Sequence, residues 1–338
     1  MVNHKIVVAG CGGMSHTWIE YALQRKNAEI VGLVDLQIES AAALANKFQL
    51  DVPVFSDITE AIKNTGANLV FDITIPAAHP TIVSAALKLN CHVFGEKPMA
   101  ETLDAAKDLV LASELSGKRY TVMQNRRYNR QIRAYQELLQ SGVIGQVGSL
   151  HASFFLGPHF GGFRDIMDNP LIVDMAIHTF DQARFLLQAN PVSVYCHEYN
   201  PKGSWYKGNA SAICIFEMDD GSVFTYNGSW CAEGLHTSWE SDWRATGSIG
   251  SAAWDGINNP YAETIDPSNE AGFLFPVKKQ IFAGSWNGQE GHWGCLDEMF
   301  ASVEANRNAE TDCRDNLKSM MMVFGAVESA KKGEKVYF

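Results

Sequence analysis

Residues 10–15, Gly-Cys-Gly-Gly-Met-Ser, stand between an apolar run that reads as a strand, KIVVAG (5–10), and a helix-like stretch, SHTWIEYALQ (15–24). A glycine turn joining a buried strand to a helix restricts the chain more than any other feature it has. Gly10 permits the tight turn, and Gly12 and Gly13 let a ligand's pyrophosphate approach the backbone. The free N–H groups and positive end of the following helix then face the anion. The spacing fits G-x-G-x-x-G except at Ser15, a small side chain where close helix–strand packing usually wants glycine. Asp35 closes the next strand, EIVGLVD (29–35). A carboxylate there accepts hydrogen bonds from ribose hydroxyls and repels a 2′-phosphate. Leu36 follows, not an arginine, so NAD is expected as cofactor and NADP is disfavoured.

The rest of the first third repeats the strand–helix alternation of a parallel sheet wrapped by helices. Further strands are expected at VPVF (52–55), NLVFDIT (68–74), CHVFG (91–95) and RYTVMQ (119–124). Between them, Ile38, Ala41, Ala42, Ala45 and Phe48 recur at helical spacing, and Asp57-x-x-Glu60 reads as a capping box. After residue 124 a helix-like stretch (130–142) leads into longer, alternating strands. In 221–230, Phe224, Tyr226 and Trp230 share one face, and SAICIFEM followed by Asp-Asp-Gly suggests an antiparallel hairpin. Residues 255–290, rich in Asn, Gly and Pro, are expected to be mostly loop, and two helices are expected to close the chain. The fold class is therefore α/β. A Rossmann-type doubly wound parallel sheet is expected over 1–124, and an α+β domain with a large, mostly antiparallel sheet over 125–338, its last segment able to pack back on the first domain.

The chain has 338 residues, enough for two domains, and its formal net charge of −11 gives no general attraction to nucleic acid or anionic lipid. Its N-terminus reads as a first strand and not a signal peptide, and no run approaches the roughly 18 apolar residues of a spanning helix. Seven scattered cysteines without a C-x-x-C pair suggest reduced thiols and a cytoplasmic location.

In a doubly wound sheet, ligands bind beyond the carboxyl ends of the strands. Two later strands end suggestively, one running into Ile75-Pro76-Ala77-Ala78-His79-Pro80 and the other into Glu96-Lys97-Pro98. Both ends are expected near a bound dinucleotide. A lysine opening a helix is electrostatically unfavourable, which argues that Lys97 serves something else, and Pro98 restricts its direction. Farther on, Asp174 and His178 are four residues apart, hence neighbours on a helical face, where a carboxylate can orient an imidazole. An ordinary helix-surface ion pair is the plainer reading of that spacing. His151, His159 or His292 would have to complete any metal site, and no ligand spacing supports one, so no metal is expected.

Together VVAGCGGM, Val-Asp at 34–35, Glu-Lys-Pro at 96–98 and D-x-x-x-H at 174–178 resemble the Gfo/Idh/MocA oxidoreductases, named after glucose–fructose oxidoreductase and inositol dehydrogenase. IPAAHP, NRRYN (125–129) and the closing FGAVESAKKGEKVYF extend the resemblance over nearly the whole chain. It implies hydride transfer between NAD and a secondary alcohol of a sugar, cyclitol or sugar derivative. Lys97 would touch nicotinamide and substrate, with a cis 97–98 peptide. His178 would be the acid/base, and Asp174 would bind substrate or orient the site. Met14 and the turn Thr74-Ile75-Pro76 would line the cofactor. Asn125 and Arg126 fall where substrate-facing side chains occur. The approach NPLIVD lacks the glycines common in relatives; Gly161 and Gly162 lie earlier, in GPHFGGFRD, a loop that would bring His159 and Arg164 over the substrate. Glu96 is expected to organise its loop. Seven tryptophans from Trp205 to Trp293 suit sugar faces, but mostly sheet core or subunit contacts. The open sheet of such proteins often forms oligomer contacts, so a homodimer or homotetramer is expected. Two other outcomes compete: glycoside cleavage through a transient 3-keto intermediate, and a non-catalytic NAD-sensing regulator.

Overall fold

The structure, a computed structural model, describes residues 3–268 and 272–338. The chain forms two compact units, one comprising residues up to 125 with 289–320, the other residues 126–288 with 321–338. No helix among the described residues is long and apolar enough to cross a membrane.

In the first unit, strands and helices alternate as β1 (His4–Ala9), α1 (Ser15–Gln24), β2 (Ala28–Val34), α2 (Ile38–Phe48), β3 (Val54–Phe55), α3 (Ile58–Thr65), β4 (Leu69–Asp72), α4 (His79–Lys88), β5 (His92–Gly95), α5 (Leu103–Ser116) and β6 (Tyr120–Val122). The strands make one six-stranded sheet in the order β3-β2-β1-β4-β5-β6, and each pairing is parallel. That is the doubly wound order whose switch point lies between β1 and β4. Strands covered on both faces must be apolar throughout, and Ile6–Ala9, Val70, Phe71, Val93 and Phe94 are fully buried. Helix starts follow local chemistry: the Asp57 carboxylate accepts from Glu60 N–H at 2.8 Å, and Gly66 ends that helix in the left-handed region. The returning segment adds the helix Gly291–Glu304, whose Phe300 packs edge-on against Phe94.

The second unit begins with α6 (Arg130–Gln140), capped by Asn129, followed by β7 (Val147–Phe155). A π-helical segment, Pro170–Ala176, runs directly into α7 (Ile177–Leu187), every residue of which is buried. The remaining strands are β8 (Pro191–Tyr199), β9 (Ser211–Met218), β10 (Val223–Ser229), β11 (Asp242–Gly247), β12 (Gly250–Trp254), β13 (Tyr261–Ile265), β14 (Val277–Ile281) and β15 (Val336–Tyr337). They form a nine-stranded sheet, β14-β13-β12-β11-β7-β10-β9-β8-β15. Its pairings are antiparallel except β7 with β10. Alternation puts Phe216, Phe224 and Tyr226 on the face that packs against Phe180 of α7. Arg127 anchors that helix through two 2.7 Å hydrogen bonds to the buried Asp181 carboxylate.

Three expectations change, and one holds with an addition: the described part of 255–290 is mostly loop but contains the short strands β13 and β14, the second at the sheet edge, where a polar composition is tolerated. Residues 269–271 of that stretch lie outside the described residues. In α2, Leu44 joins Ala41 and Ala45 in the core while Ile38 is 43% exposed, so the buried stripe is rotated from the expected one. Trp293 belongs to the segment that returns to the first unit. Finally, no helix starts at Lys97; α5 begins at Leu103, capped by the Thr102 hydroxyl.

Candidate active site

The candidate residues fall into two groups, one in each unit. In the first, the glycine turn follows β1 at the switch point. Gly10 has φ +90°, and a Cβ there would lie 2.5 Å from the Ile73 carbonyl oxygen, so only glycine fits. Beside Gly12 and Gly13, by contrast, a Cβ would meet nothing within 4 Å. The open side of the turn is therefore not explained by packing within the chain. Ser15 is fully buried and turns its hydroxyl back to the Gly12 carbonyl at 2.6 Å, which is how a serine is accommodated in place of the last glycine. Helix α1 has neither a side-chain cap nor an acidic residue in its first turn, which leaves its N-terminus fit for an anion. Met14, 46% exposed, flanks it.

Asp35 braces this turn from the end of β2: one carboxylate oxygen accepts from Cys11 N–H and the other from Gln37 N–H, both at 2.9 Å. The Cys11 thiol is pushed up to about 12 by burial, with the Asp35 charge adding, and is not a reactive group. At the end of β4, the fully buried Asp72 carboxylate accepts from Thr74 Oγ at 2.6 Å and pairs with His79 Nδ1 at 2.8 Å. That shapes the 73–76 turn so that Ile75 projects into solvent, 69% exposed, while Thr74 and Pro76 are half-buried. His79 has no exposed surface and stands behind the turn as its support. Asp72 gives no signal in the sequence, because a buried strand-end aspartate reads as an ordinary turn residue.

Glu96 accepts from the indole N–H of buried Trp18, on α1, at 3.0 Å and from its own neighbour Lys97 N–H at 3.3 Å. It is thereby tied to α1. The Lys97–Pro98 peptide is cis. His292, in the first turn of the returning helix, lies in the field of both Glu96 and Lys97; burial chiefly, with the Lys97 charge, lowers its pKa against the pull of Glu96. Asn125 Nδ2 stands 3.4 Å from His292 Nδ1. The sequence offers His292 only as a metal ligand, and at 195 residues from Lys97 it gives no signal of this placement. Among the described residues no group of three or more His, Cys, Asp or Glu could hold a metal.

In the second unit, Asp174 lies in the π-helical segment and His178 in the first turn of α7, so the two are not on one continuous α-helical face. His178 is 7% exposed. Arg164 Nε donates to Asp174 Oδ2 at 2.8 Å, and its guanidinium lies over the Phe160 and Phe163 rings. Arg126 donates to the Trp239 carbonyl and lies 3.9 Å from Glu240. His159 pairs with Glu233 at 2.8 Å and stacks on Trp205 at 3.7 Å. The start of the π-helical segment is fixed by Asn169, whose amide donates to Glu198 at 2.7 Å. Burial raises the Glu198 carboxyl to about 7, with the Asn169 hydrogen bond opposing.

Comparison with known proteins places this geometry. Residues 4–124 match the oxidoreductase family, NAD-binding Rossmann fold, of the Gfo/Idh/MocA group, and residues 132–253 match the C-terminal domain of the same group. An uncharacterised protein of Sinorhizobium fredii is 26% identical over 99% of this chain and 96% of its own. The inositol 2-dehydrogenase/D-chiro-inositol 3-dehydrogenase of Lacticaseibacillus casei is 31% identical, over 56% of this chain and 55% of that protein, so the match spans about half of that enzyme. An oxidoreductase from Agrobacterium radiobacter, crystallised with NAD+, L-tartaric acid and magnesium, has the same fold: TM-score 0.86 at 21% identity, covering 99% of this chain and 98% of that one.

Two variants of the glycine turn should separate fold from ligand. Gly10→Ala is expected to cost at least about 2 kcal/mol in denaturant unfolding, from left-handed strain and the Ile73 clash. Gly12→Ala should leave stability within about 0.5 kcal/mol and weaken NADH binding about tenfold or more by titration. Glu198 gives a pH prediction. Its folded pKa is raised, so its contribution is fully present below the unfolded value near 4.5 and lost as pH rises toward 7. Glu198→Gln should therefore raise the melting temperature at pH 8 and leave it nearly unchanged at pH 4.

Proposed function

The chain belongs to the Gfo/Idh/MocA family of NAD-binding oxidoreductases, and we propose that it oxidises a secondary alcohol of a sugar or cyclitol. The observation that carries this reading is Lys97 at the end of β5, in the same unit as a glycine turn with open space on its ligand side. The residues fit a dinucleotide: an uncapped α1 N-terminus for the pyrophosphate, Asp35 for the ribose, and Met14 with the 74–76 turn beside them. NAD, when bound, supplies the hydride acceptor.

The chain's own residues would then do the following. Lys97 donates a hydrogen bond to the substrate oxygen and offsets the negative charge that develops there. His178 takes the hydroxyl proton, and Asp174, itself held by Arg164, orients the imidazole or a neighbouring substrate hydroxyl. Glu96, engaged by Trp18 and by Lys97 N–H, fixes the direction of the lysine and moves no proton. Asn125 holds His292, and Arg126 is committed to Trp239 and Glu240, which supports shaping roles for both. The half-length likeness to an inositol dehydrogenase makes cyclitols the first substrates to try.

For the assembly, we propose a second copy on the open face of the large sheet, where Tyr195, Ile213 and Ile215 are 44–45% exposed side by side on β8 and β9. Light scattering should give a dimer or tetramer; a mass near 37.3 kDa would refute it. The activity test is an NAD-linked screen across inositols, monosaccharides and glycosides, with Lys97→Ala beside the parent. NADH should form with at least one polyol, and Lys97→Ala should lose about a hundredfold or more in kcat. Near-full turnover in that variant, or no NADH with any polyol, would sink the reading.

A further inference from the structure

We infer that Phe160, Phe163 and Trp239 form a subsite beside Asp174 for a second, neutral ring: the sugar or cyclitol that a glycoside carries next to the ring being oxidised. This rests on the dehydrogenase reading above and narrows its substrate class.

The three aromatic side chains are 54%, 62% and 44% exposed. Phe160 and Trp239 rest on the buried Trp230, at 5.9 and 5.6 Å between ring centroids, yet each keeps about half of its surface open, and Phe163 is more open still. Consecutive left-handed glycines, Gly161 at φ +69° and Gly162 at φ +68°, turn the loop so that both phenylalanines flank one cation. The Arg164 guanidinium carbon lies 5.1 Å from the Phe160 ring and 4.7 Å from the Phe163 ring, while its Nε holds Asp174 at 2.8 Å. One side chain thus connects the aromatic patch to the candidate catalytic carboxylate. Trp239 extends the patch, its ring 6.5 Å from Phe160 and its carbonyl held by Arg126, whose other amino group faces the sulfur of Met175 at 3.8 Å. Met175 is the chain neighbour of Asp174.

The chemistry selects the occupant. Exposed π faces match the C–H face of a pyranose or cyclitol ring. A carboxylate or phosphate would need a surplus of positive charge, and here the arginines are already matched, Arg164 with Asp174 and Arg126 with Glu240, while His159 is engaged by Glu233. The net charge of −11 adds no attraction from farther away. The ligand is therefore a neutral glycoside and not a uronate or a nucleotide sugar.

The test is calorimetry on the full chain with NADH bound, which reads binding without turnover. Galactinol would be titrated against myo-inositol, and maltose and cellobiose against D-glucose, in the parent and in Phe163→Ala and Phe163→Tyr. At least one two-ring compound should bind about tenfold or more tighter than its single-ring counterpart, a preference lost in Phe163→Ala and kept in Phe163→Tyr. No such preference in the parent, or one that survives Phe163→Ala, overturns the subsite. So does tighter binding of D-glucuronate or UDP-glucose than of any neutral compound. A drop in oligomer mass on Phe163→Ala would show the patch covered by a second copy and overturn it too. Glycoside binding without NADH formation in a parallel assay would uphold the subsite while refuting the dehydrogenase reading. NADH formation without two-ring preference would do the reverse.

Discussion

The first unit depends on one close approach: the backbone of Gly10 pressed against the Ile73–Thr74 peptide, where even a methyl group would overlap the Ile73 oxygen. The two strand ends are adjacent because β1 pairs with β4 at the switch of the sheet, and Ile73 N–H continues the ladder to Ala9. Glycine is required at that point by contact and by φ together. Gly12 and Gly13 need no such explanation from the protein, since nothing of the chain lies where their side chains would be.

Three polar braces are built around that contact. Asp35 reaches from β2 to Cys11 N–H, Asp72 gathers Thr74 and His79 behind the β4 turn, and Trp18 reaches from α1 to Glu96. Each brace satisfies a buried or half-buried polar group that would otherwise be costly. Their joint effect is to couple the glycine turn, the turn after β4 and the lysine after β5 into one piece. A lysine that looked misplaced as a helix start is not one: the helix begins six residues later, and the lysine caps a strand end whose neighbouring carboxylate is already spoken for.

Much of this was legible because it is local. The glycine turn, Asp35 and the alternating strands are encoded within windows of a few residues, and parallel strands buried on both faces leave an unmistakable apolar run. What was not legible is tertiary. The Trp18–Glu96 and Asp72–His79 hydrogen bonds join side chains with no shared local pattern, and His292 arrives beside Lys97 from a segment that returns late in the chain. The π-helical segment under Asp174 looked like plain α-helix because an apolar stretch after proline suits either. Strands β13 and β14 are short and carry glutamate and lysine between polar loops, so their alternation leaves little trace in the sequence. Family membership, by contrast, followed from motif order alone.

Isotope tracing is the sharpest test of net hydride transfer from a carbinol carbon to NAD. The polyol found to yield NADH would be supplied deuterated at its ring carbons, and the cofactor analysed by mass spectrometry and NMR. A dehydrogenase should place one deuterium at nicotinamide C4 for each ketone formed, with NADD accumulating in step with product. Cleavage of a glycosidic bond with the deuterium returned to the sugar, and no accumulation of reduced cofactor, would contradict it.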